Sequence, residues 1–509
     1  MPSSAVTAPI QNVPNDVLQE IFLECLPSEY WTTTIEPSQI PVLLTHVCQL
    51  WRNVAFACPL LWRSLRWSTN WERVGGGEID TFSAAVARAK SAPRNLQVIL
   101  STRLPLSSPK RTYSFKSLPH IPNRLVVPIG PFLTKLLLRG VPISHIHDLA
   151  SESFPSLVLL ALYLEGQDLE GFPWAAKGPI RAFSNAPALR RVALGSSLDD
   201  DYQRRTYASP NILLPWEQLT HILDFASPNQ GPHSISDYVR KSQNLRFLVA
   251  ELHYRDVGVE GWDHWRDRSV DPTMLDNLES LTINYWGAGG DDIGYPAFVD
   301  SLRFPNLKSL RFDGAEFALT DPLFWTEVLI NQFIARLSSL HHLTYLSLCA
   351  TTIDPVSFRR ILAATPNITT LDAQIFENYR FFFEAISWNP ADKLLPRLET
   401  LVLELDDSEA RSDGEGETIS PDIFEGFLES RLRNDTPFRK IVVYSSQHSY
   451  MDDDTAFVAV AQKYASRGLV LERRCVTVER DRKAGFEWLE RDPDLQDWPE
   501  LAEMLFIVL

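Results

Sequence analysis

Few residue groupings in this sequence could carry out chemistry. Gly287-Ala288-Gly289-Gly290 suggests a phosphate-binding loop, but it lacks a third glycine at the required spacing, so it predicts a turn. His145, His147 and Asp148 could contact a metal ion, yet no third or fourth ligand is evident beside them. No nucleophile-elbow, zinc-protease, Walker or kinase motif occurs. We therefore expect a protein that is not an enzyme, without catalytic residues, metal or cofactor.

The bulk properties narrow the class of protein. With 509 residues, 45% hydrophobic and 22% charged, the chain is too long for one ordinary core and indicates several domains or a repeat array. A net charge of −16 argues against nucleic-acid binding. Neither a secretory signal nor a stretch of 18 apolar residues is present, so we expect no membrane contact. Five cysteines without disulfide or zinc spacing are typical of a cytoplasmic or nuclear protein.

Three short helices are predicted near the N-terminus. The first follows Asn15 as its N-cap and carries Val17, Leu18, Ile21, Phe22, Cys25 and Leu26 at helical spacing. The second spans residues 42–57 and has two neighbouring apolar stripes, and the third starts at Pro59. Two stripes exceed what a unit of this size can bury within itself. The surplus must contact another protein or, alternatively, cap the first repeat of the following domain.

The residue identities in this module favour the first alternative. In order they are Val13-Pro14-Asn15-Asp16-Val17-Leu18, Ile21-Phe22, Val47-Cys48-x-x-Trp51-Arg52 and Pro59-x-Leu61-Trp62. This arrangement resembles the F-box family, in particular its fungal branch, over about the first 67 residues. In that family the helices bind the Skp adaptor of cullin–RING ubiquitin ligases. The resemblance implies that the docking surface or its support comprises Pro14, Leu18, Ile21, Phe22, Val47, Trp51 and Trp62.

A second pattern, L-x-x-L-x-L with substitutions, recurs along the rest of the chain. Its eleven copies start at residues 133, 157, 189, 219, 245, 278, 307, 343, 368, 398 and 438. Several follow the same lead, as in Phe154-Pro155-Ser156-Leu157 and Phe304-Pro305-Asn306-Leu307. A chance run of buried strands would not repeat in this way. The pattern predicts a degenerate leucine-rich-repeat solenoid, with helices at residues 322–339, 354–364 and 378–388.

The predicted fold class is α/β, a three-helix F-box module followed by a leucine-rich-repeat solenoid. Its curved parallel sheet would lie inside, with helices and loops outside. The expected domains are a disordered N-terminus (1–9), the F-box-like module (10–67), the solenoid (79–444) and a C-terminal cap (445–509).

A binding surface is expected on the inner face of the sheet. The leucines of each repeat should face the core, so the residues between them should face the opposite, concave side. This rule nominates Tyr163, Asn284, Trp286, Arg311, Asp313, Tyr345, Asp372 and Glu404 as tentative substrate-binding residues. Arg311 would suit an acidic partner, and Asp313, Asp372 and Glu404 a basic one. The alternative is that each is an ordinary solvated strand residue.

Two further segments have open interpretations. The acidic run 406–417 is either a solvated loop or a docking patch. The apolar end 504–509 either packs on the last repeats or binds a partner.

The resulting functional prediction is a substrate-recognition subunit of a Skp–cullin–F-box ubiquitin ligase. The N-terminal helices would dock the Skp-type adaptor, and through it the cullin–RING ligase, while the sheet face would hold an unidentified protein substrate. The alternative is an interaction scaffold without a role in ubiquitination.

Overall fold

A computed structural model describes most of the helices and strands of the chain. The described residues are 13–26, 33–34, 39–69, 76–89, 96–102, 125–139, 141–149, 154–164, 173–196, 211–225, 238–254, 272–287, 302–314, 323–324, 327–337, 340–349, 351–373, 379–405, 420–432, 436–446 and 454–476. Within these ranges no helix is long and apolar enough to cross a bilayer. The chain divides into two compact units, one of residues 1–219, 224–227 and 499–508, the other of 220–223, 228–498 and 509.

The strands fall at regular intervals in the described part of the chain. They are β1 (Thr33–Thr34), β2 (Ser64–Thr69), β3 (Leu96–Thr102), β4 (Leu133–Arg139), β5 (Leu159–Leu164), β6 (Arg191–Ser196), β7 (His221–Phe225), β8 (Phe247–Tyr254), β9 (Thr273–Met274), β10 (Ser280–Gly287), β11 (Leu302–Arg303), β12 (Ser309–Gly314), β13 (Leu323–Phe324), β14 (Tyr345–Cys349), β15 (Thr351–Thr352), β16 (Thr370–Ala373), β17 (Thr400–Leu405), β18 (Lys440–Ser446) and β19 (Val470–Val476).

The first unit opens with short helices. They are α1 (Asn15–Glu24), α2 (Leu44–Val47), α3 (Gln49–Ala57) and a 3₁₀ helix at Pro59–Trp62. Two details of the prediction are wrong. Pro14 occupies the N-cap of α1, where Asn15 was expected. The predicted helix over 42–57 is interrupted at Cys48, which is extended, with φ −158° and ψ 173°.

The break at Cys48 has a local cause. Thr45 and Val47 are β-branched and favour helix weakly. The Thr45 hydroxyl donates to the Val42 carbonyl at 2.7 Å, and Arg52 Nε donates to the Thr45 carbonyl at 2.8 Å. Cys48 Sγ then accepts from the Trp51 amide at 3.5 Å, so the cysteine acts as the N-cap of α3.

The rest of the first unit is a parallel sheet whose strands follow chain order. β1 pairs with β2, β2 with β3, and so on to β6, every pair parallel. The crossover from β2 to β3 contains α4 (Gly76–Ala89), and shorter helices lie at Ile143–His147 and Trp174–Lys177.

The second unit repeats the arrangement with longer helices. β8, β10, β12, β14, β16, β17, β18 and β19 are hydrogen-bonded in that order, all parallel. Two short parallel pairs, β9 with β11 and β13 with β15, lie outside the main sheet. The helices are Glu327–Leu337, Pro355–Ala364, Tyr379–Ile386, Pro421–Leu432 and Asp454–Lys463, each in contact with the next.

The strands predicted from the leucine pattern are therefore confirmed. All eleven predicted copies coincide with strands, β4 to β8, β10, β12, β14 and β16 to β18. The first apolar residue of every copy is buried, from Leu133 to Phe438. Because side chains alternate along a strand, the remaining repeat leucines share that buried side, which we call the leucine face. Helices cover this face in the second unit, where Phe333 contacts Phe312 of β12 at a ring distance of 4.9 Å.

One buried arginine joins two successive repeats in the second unit. Arg431, at the end of the helix Pro421–Leu432, is fully buried. Its Nε and Nη2 donate to the Ile386 carbonyl at 2.8 and 2.7 Å. Its Nη1 donates to the Leu395 carbonyl at 2.9 Å and Nη2 to the Leu394 carbonyl at 3.1 Å. The guanidinium thus caps the helix Tyr379–Ile386 and holds the turn that follows it.

That turn contains two residues in the left-handed region. Lys393 has φ 47° and Leu395 has φ 46°, which side chains other than glycine adopt at a cost. Leu395 is fully buried, so its side chain supports a backbone that is itself fixed by Arg431. The Ser430 hydroxyl adds a further contact, because it accepts from the Trp388 amide at 2.9 Å.

Candidate functional site

Two features of the described chain are candidates for binding. The first is a set of exposed apolar side chains on the N-terminal helices. On α1, Val17 and Ile21 are 45% and 42% exposed, one turn apart on the same side of the helix. Leu43 and Val47 are 44% and 55% exposed and are likewise four residues apart at α2. Both helices pack on α3. We call these four residues the apolar pairs.

The apolar pairs are unusual for this protein. The structure describes ten large hydrophobic side chains that are exposed, and five of them lie between Val17 and Phe56. Phe56 is accounted for by Arg88, whose guanidinium lies 4.1 Å from the ring centre. The apolar pairs have no comparable cover among the described residues. Single exposed apolar residues are ordinary, whereas such a concentration indicates an interaction surface.

The seven predicted adaptor-binding residues divide between surface and support. Pro14, Ile21 and Val47 are exposed, and Trp51 is half-buried. Leu18, Phe22 and Trp62 are buried and form the core beneath the surface.

One ring contact and one hydrogen bond of aromatic side chains fix that core. The Phe22 and Trp51 rings are 4.9 Å apart, which ties α1 to α3. Trp62 Nε1 donates to the Ala55 carbonyl at 2.9 Å, which ties the 3₁₀ helix to α3. A substitution at Trp51 or Trp62 would therefore act through folding as well as through binding.

The second feature is a concentration of buried polar side chains on the sheet of the second unit. They lie on the face opposite the leucine face of four adjacent strands, since their positions alternate with the repeat leucines. We call them the polar patch: Ser280, Thr282 and Asn284 on β10, Ser309 and Arg311 on β12, Tyr345 and Ser347 on β14, and Asp372 on β16. The register places Thr282, Arg311, Ser347 and Asp372 in one row across the strands.

Asp372 is the centre of the contacts in this patch. Its Oδ2 accepts from the Tyr345 hydroxyl at 3.0 Å and from the Ser347 hydroxyl at 3.2 Å. Arg311 Nη1 lies 3.6 Å from the same oxygen, and both side chains of this ion pair are essentially inaccessible to water. Taking two charges out of water is costly, so a buried pair of this kind is weak evidence for a stabilising role and better evidence for a specific one.

Other polar atoms of the patch have no such contacts. Asp372 Oδ1, Asn284 Oδ1 and Ser309 Oγ are buried and have no hydrogen-bond partner within the described ranges. Buried polar atoms are normally paired, and an unpaired one reduces stability.

A surface carboxylate nearby provides a contrast. Glu279 directly precedes β10, and its two oxygens accept from Arg246 Nε and Lys308 Nζ, each at 2.7 Å. The hydrogen bond from Lys308, and then that from Arg246, holds the pKa of Glu279 below its ordinary value. Both oxygens of this partly exposed group thus accept hydrogen bonds, whereas Oδ1 of the buried Asp372 has no partner among the described residues.

The polar patch contains four of the eight predicted substrate-binding residues: Asn284, Arg311, Tyr345 and Asp372. They are buried rather than solvated strand residues. The side chains of Trp286, Asp313 and Glu404 lie outside the described residues. The small hydroxyl residues Ser280, Ser309 and Ser347 were not predicted, although they occupy the same alternating positions.

Tyr163, the remaining predicted residue, belongs to the first unit and has a packing role there. Arg139, Tyr163 and Gly195 are aligned across β4, β5 and β6. A Cβ atom on Gly195 would lie 2.7 Å from Tyr163 Cδ2, so the ring rests directly on the glycine backbone. The Arg139 guanidinium is 5.6 Å from the ring centre.

Burial of this second face extends beyond the polar patch. In the first unit Leu137, Ala161 and Ala193 occupy its middle row, and all are buried. Val249 and Val402 do the same in the second unit. The sequence carried the signal, because strands covered on both faces have nearly continuous apolar runs, as in Leu159–Leu164, instead of an apolar–polar alternation.

The histidines considered for metal binding do not form a ligand set. His145 is buried, whereas His147 Nε2 lies 3.0 Å from the Lys177 carbonyl. In the described part of the chain no three His, Cys, Asp or Glu side chains come close enough to hold a metal ion.

Comparisons with known proteins give little beyond this geometry. No family model matches the chain, and no curated protein matches it. One similar solved structure is the crystal structure of a TLR13–ssRNA13 complex, with 12% sequence identity and a TM-score of 0.35. The alignment covers 83% of this chain and 51% of that one, so this chain spans about half its length. The fold assignment therefore rests on the strand order and register described above.

Proposed function

We propose that this chain is a substrate-recognition subunit of a Skp–cullin–F-box ubiquitin ligase. The N-terminal helices dock a Skp-type adaptor, which connects the chain to a cullin–RING ligase, and the repeats hold the target protein. The observation that supports the proposal is the exposure of the apolar pairs on helices whose residues resemble the F-box family.

This surface can supply the apolar centre of a larger docking interface. Four side chains that are each about half exposed present roughly 300 Å² of apolar area, worth about 7 kcal/mol when fully buried at 25 cal/mol per Å². Association consumes much of this free energy, so neighbouring contacts must contribute as well. A single charge within the surface should nevertheless be enough to disrupt the complex.

The test is co-expression of the chain with a Skp adaptor, followed by size-exclusion chromatography. We expect a stable complex with the wild-type chain, and loss of at least tenfold in affinity for Ile21→Asp and for Val47→Asp. Both side chains are exposed, so these changes leave the core of the module intact. Val356→Asp is the matched control, because Val356 is 68% exposed on a helix of the second unit. It should bind like the wild type.

Two outcomes would contradict the proposal. A folded wild-type chain that forms no complex excludes adaptor docking. If a complex reconstituted with cullin and RING subunits transfers no ubiquitin, the result favours an interaction scaffold instead. The chain would then bind the adaptor without acting in ubiquitination.

A further inference from the structure

A second group of exposed apolar side chains lies in the first unit, at the edge of the sheet where its strands begin. Phe132 directly precedes β4 and is 50% exposed, and Val158 directly precedes β5 and is 37% exposed. Three exposed prolines occupy the segments that lead into β4, β5 and β6. We call these five residues the edge patch: Pro131, Phe132, Pro155, Val158 and Pro187.

The corresponding positions of the other repeats are mostly polar. Val158 follows the first apolar residue of its copy, and in the other ten copies this position holds Thr, Arg, Glu or Lys. Phe132 precedes the first apolar residue of its copy, where four later copies have asparagine. Packing of a repeat therefore does not require an apolar side chain at either position. Their exposure in adjacent repeats indicates an interaction surface.

Prolines and hydrogen bonds hold the edge patch in place. Phe132 ends the 3₁₀ helix Val127–Phe132, which contains two prolines. The Ser156 hydroxyl donates to the Pro131 carbonyl at 2.8 Å, and the Val158 amide donates to a carbonyl of β4 at 2.8 Å. A surface that is fixed before binding loses little conformational entropy in a complex.

The edge patch lies near the helices of the N-terminal module. The 3₁₀ helix that ends at Trp62 leads into β2 at the same edge of the parallel sheet, and α1 packs on this helix. The register from β2 through β3 to β4 places Trp62 and Phe132 at the same level. Two strand spacings of about 4.8 Å separate these residues by roughly 10 Å. One helix diameter of about 10–12 Å then brings Ile21 within roughly 20–25 Å of Phe132.

The area that a stable complex needs favours one partner for both surfaces. The apolar pairs present roughly 300 Å², whereas a standard interface buries about 800 Å² on each partner and is roughly 30 Å across. Phe132 adds roughly 100 Å², because an aromatic side chain has about 200 Å² of surface and half of it is exposed here. The other four residues of the edge patch increase this area further, within the width of one such interface.

We infer that the edge patch is a second contact for the Skp-type adaptor, beyond the N-terminal helices. This inference rests on the proposed function, whose docking surface it extends onto the first repeats. Phe132 is the anchor, since aromatic side chains are enriched at the centres of interfaces. The adaptor must then present apolar surface both to Ile21 and, roughly 20–25 Å away, to Phe132.

The first test measures the affinity of the full chain for an immobilised Skp adaptor by biolayer interferometry. Phe132→Asp and Val158→Asp should each weaken binding at least fivefold, whereas Phe132→Leu, which keeps an apolar side chain, should stay within twofold of the wild type. His342→Asp and Thr344→Asp are the matched controls, because they are exposed residues at the same two repeat positions in the second unit. Both controls should bind like the wild type.

The second test needs no variant and therefore does not depend on how the variants fold. Hydroxyl-radical footprinting with mass spectrometry reports the oxidation of side chains in the free and the adaptor-bound wild-type chain. Oxidation of Phe132 should fall at least threefold on binding. Met274, which is 48% exposed in the second unit, is the internal control and should be oxidised equally in both states.

Failure of this inference is distinguishable from failure of the proposed function. If the adaptor binds and Ile21→Asp disrupts the complex, but Phe132 is oxidised equally in both states and Phe132→Asp binds like the wild type, the inference is overturned and the proposed function stands. A folded wild-type chain that binds no adaptor overturns both. Self-association of the chain alone that is abolished by Phe132→Asp would assign the edge patch to a second copy and also overturn the inference.

Discussion

Arg431 allows a stability prediction whose size follows from the structure. Its guanidinium is fully buried and makes four hydrogen bonds to the carbonyls of Ile386, Leu394 and Leu395. Burial lowers the pKa of Arg431 to about 10, so the group remains charged at neutral pH. Replacement by methionine would leave three buried carbonyl oxygens without donors.

The expected loss combines two opposing terms. Three unsatisfied carbonyls at about 1–1.5 kcal/mol each cost roughly 3–4.5 kcal/mol, whereas relaxation of the left-handed turn regains about 1 kcal/mol of backbone strain. Removing the desolvated charge also regains part of the lost free energy of unfolding. We expect Arg431→Met to reduce the free energy of unfolding by about 1–3 kcal/mol. Arg431→Lys should recover less than half of the loss, because one ammonium cannot reproduce the planar fork.

Urea unfolding followed by circular dichroism measures the free energy, and hydrogen exchange with mass spectrometry shows where it is lost. Amides of residues 386–396 should lose protection first in Arg431→Met. A variant within 0.5 kcal/mol of the wild type, or a lysine variant that is fully stable, would refute the role assigned to the guanidinium. Arg439→Met, at an exposed arginine in the same unit, is the control.

Three further predictions concern other described residues. Lys393→Gly should raise the free energy of unfolding by about 0.5–1 kcal/mol, because it relieves a positive φ at an exposed position. The control Arg397→Gly, also at an exposed position, should lower the free energy of unfolding, and chemical denaturation measures both variants. Gly195→Ala should destabilise the chain by about 1–3 kcal/mol, and Tyr163→Ala in the same chain should remove the clash and much of that effect, as thermal melting would show. Burial, followed by the hydrogen bond to Glu425, raises the pKa of Tyr464 to about 12. The pKa in the folded state exceeds the unfolded value near 10, so this contribution to stability is complete below pH 10 and is lost as the pH rises through about 12. The melting temperatures of the wild type and of Tyr464→Phe should therefore converge between these two pH values, about 10 and 12. A constant difference between them would contradict the prediction.

The strands were predictable because their signal is local and repeated. Each copy of the leucine pattern fixes which alternate side chains face the core, and parallel neighbours then align without further information. Ile368 and Phe438 occupy the leucine position in weaker copies and are still fully buried, so size and hydrophobicity matter there more than residue identity.

What the sequence did not predict depends on contacts distant in the chain. The helix Pro421–Leu432 was missed because Arg431, a charged residue, occupies its buried stripe beside Phe424, Phe427 and Leu428. Its partners are carbonyls of an earlier repeat, which leave no trace in local hydrophobic spacing. The break at Cys48 was missed for a different, local reason, since a hydrogen bond to Sγ is not visible in an apolar stripe.

The candidate site was predicted only in part. Alternation along the strands nominated Asn284, Arg311, Tyr345 and Asp372, which the structure brings onto one face of adjacent strands. It did not predict their burial. The alternation rule describes a single repeat, whereas burial depends on the residues that cover several neighbouring strands.

The contacts of Arg431 also impose an order on synthesis. Arg431 follows Ile386 by 45 residues and Leu395 by 36, so the carbonyls leave the ribosome well before their donor does. At about 5–20 residues per second, that delay lasts roughly 2–9 s. During this interval the turn lacks the hydrogen bonds from Arg431 that fix its left-handed backbone. The last hydrogen bonds of this turn can therefore form only after the helix Pro421–Leu432 has been synthesised.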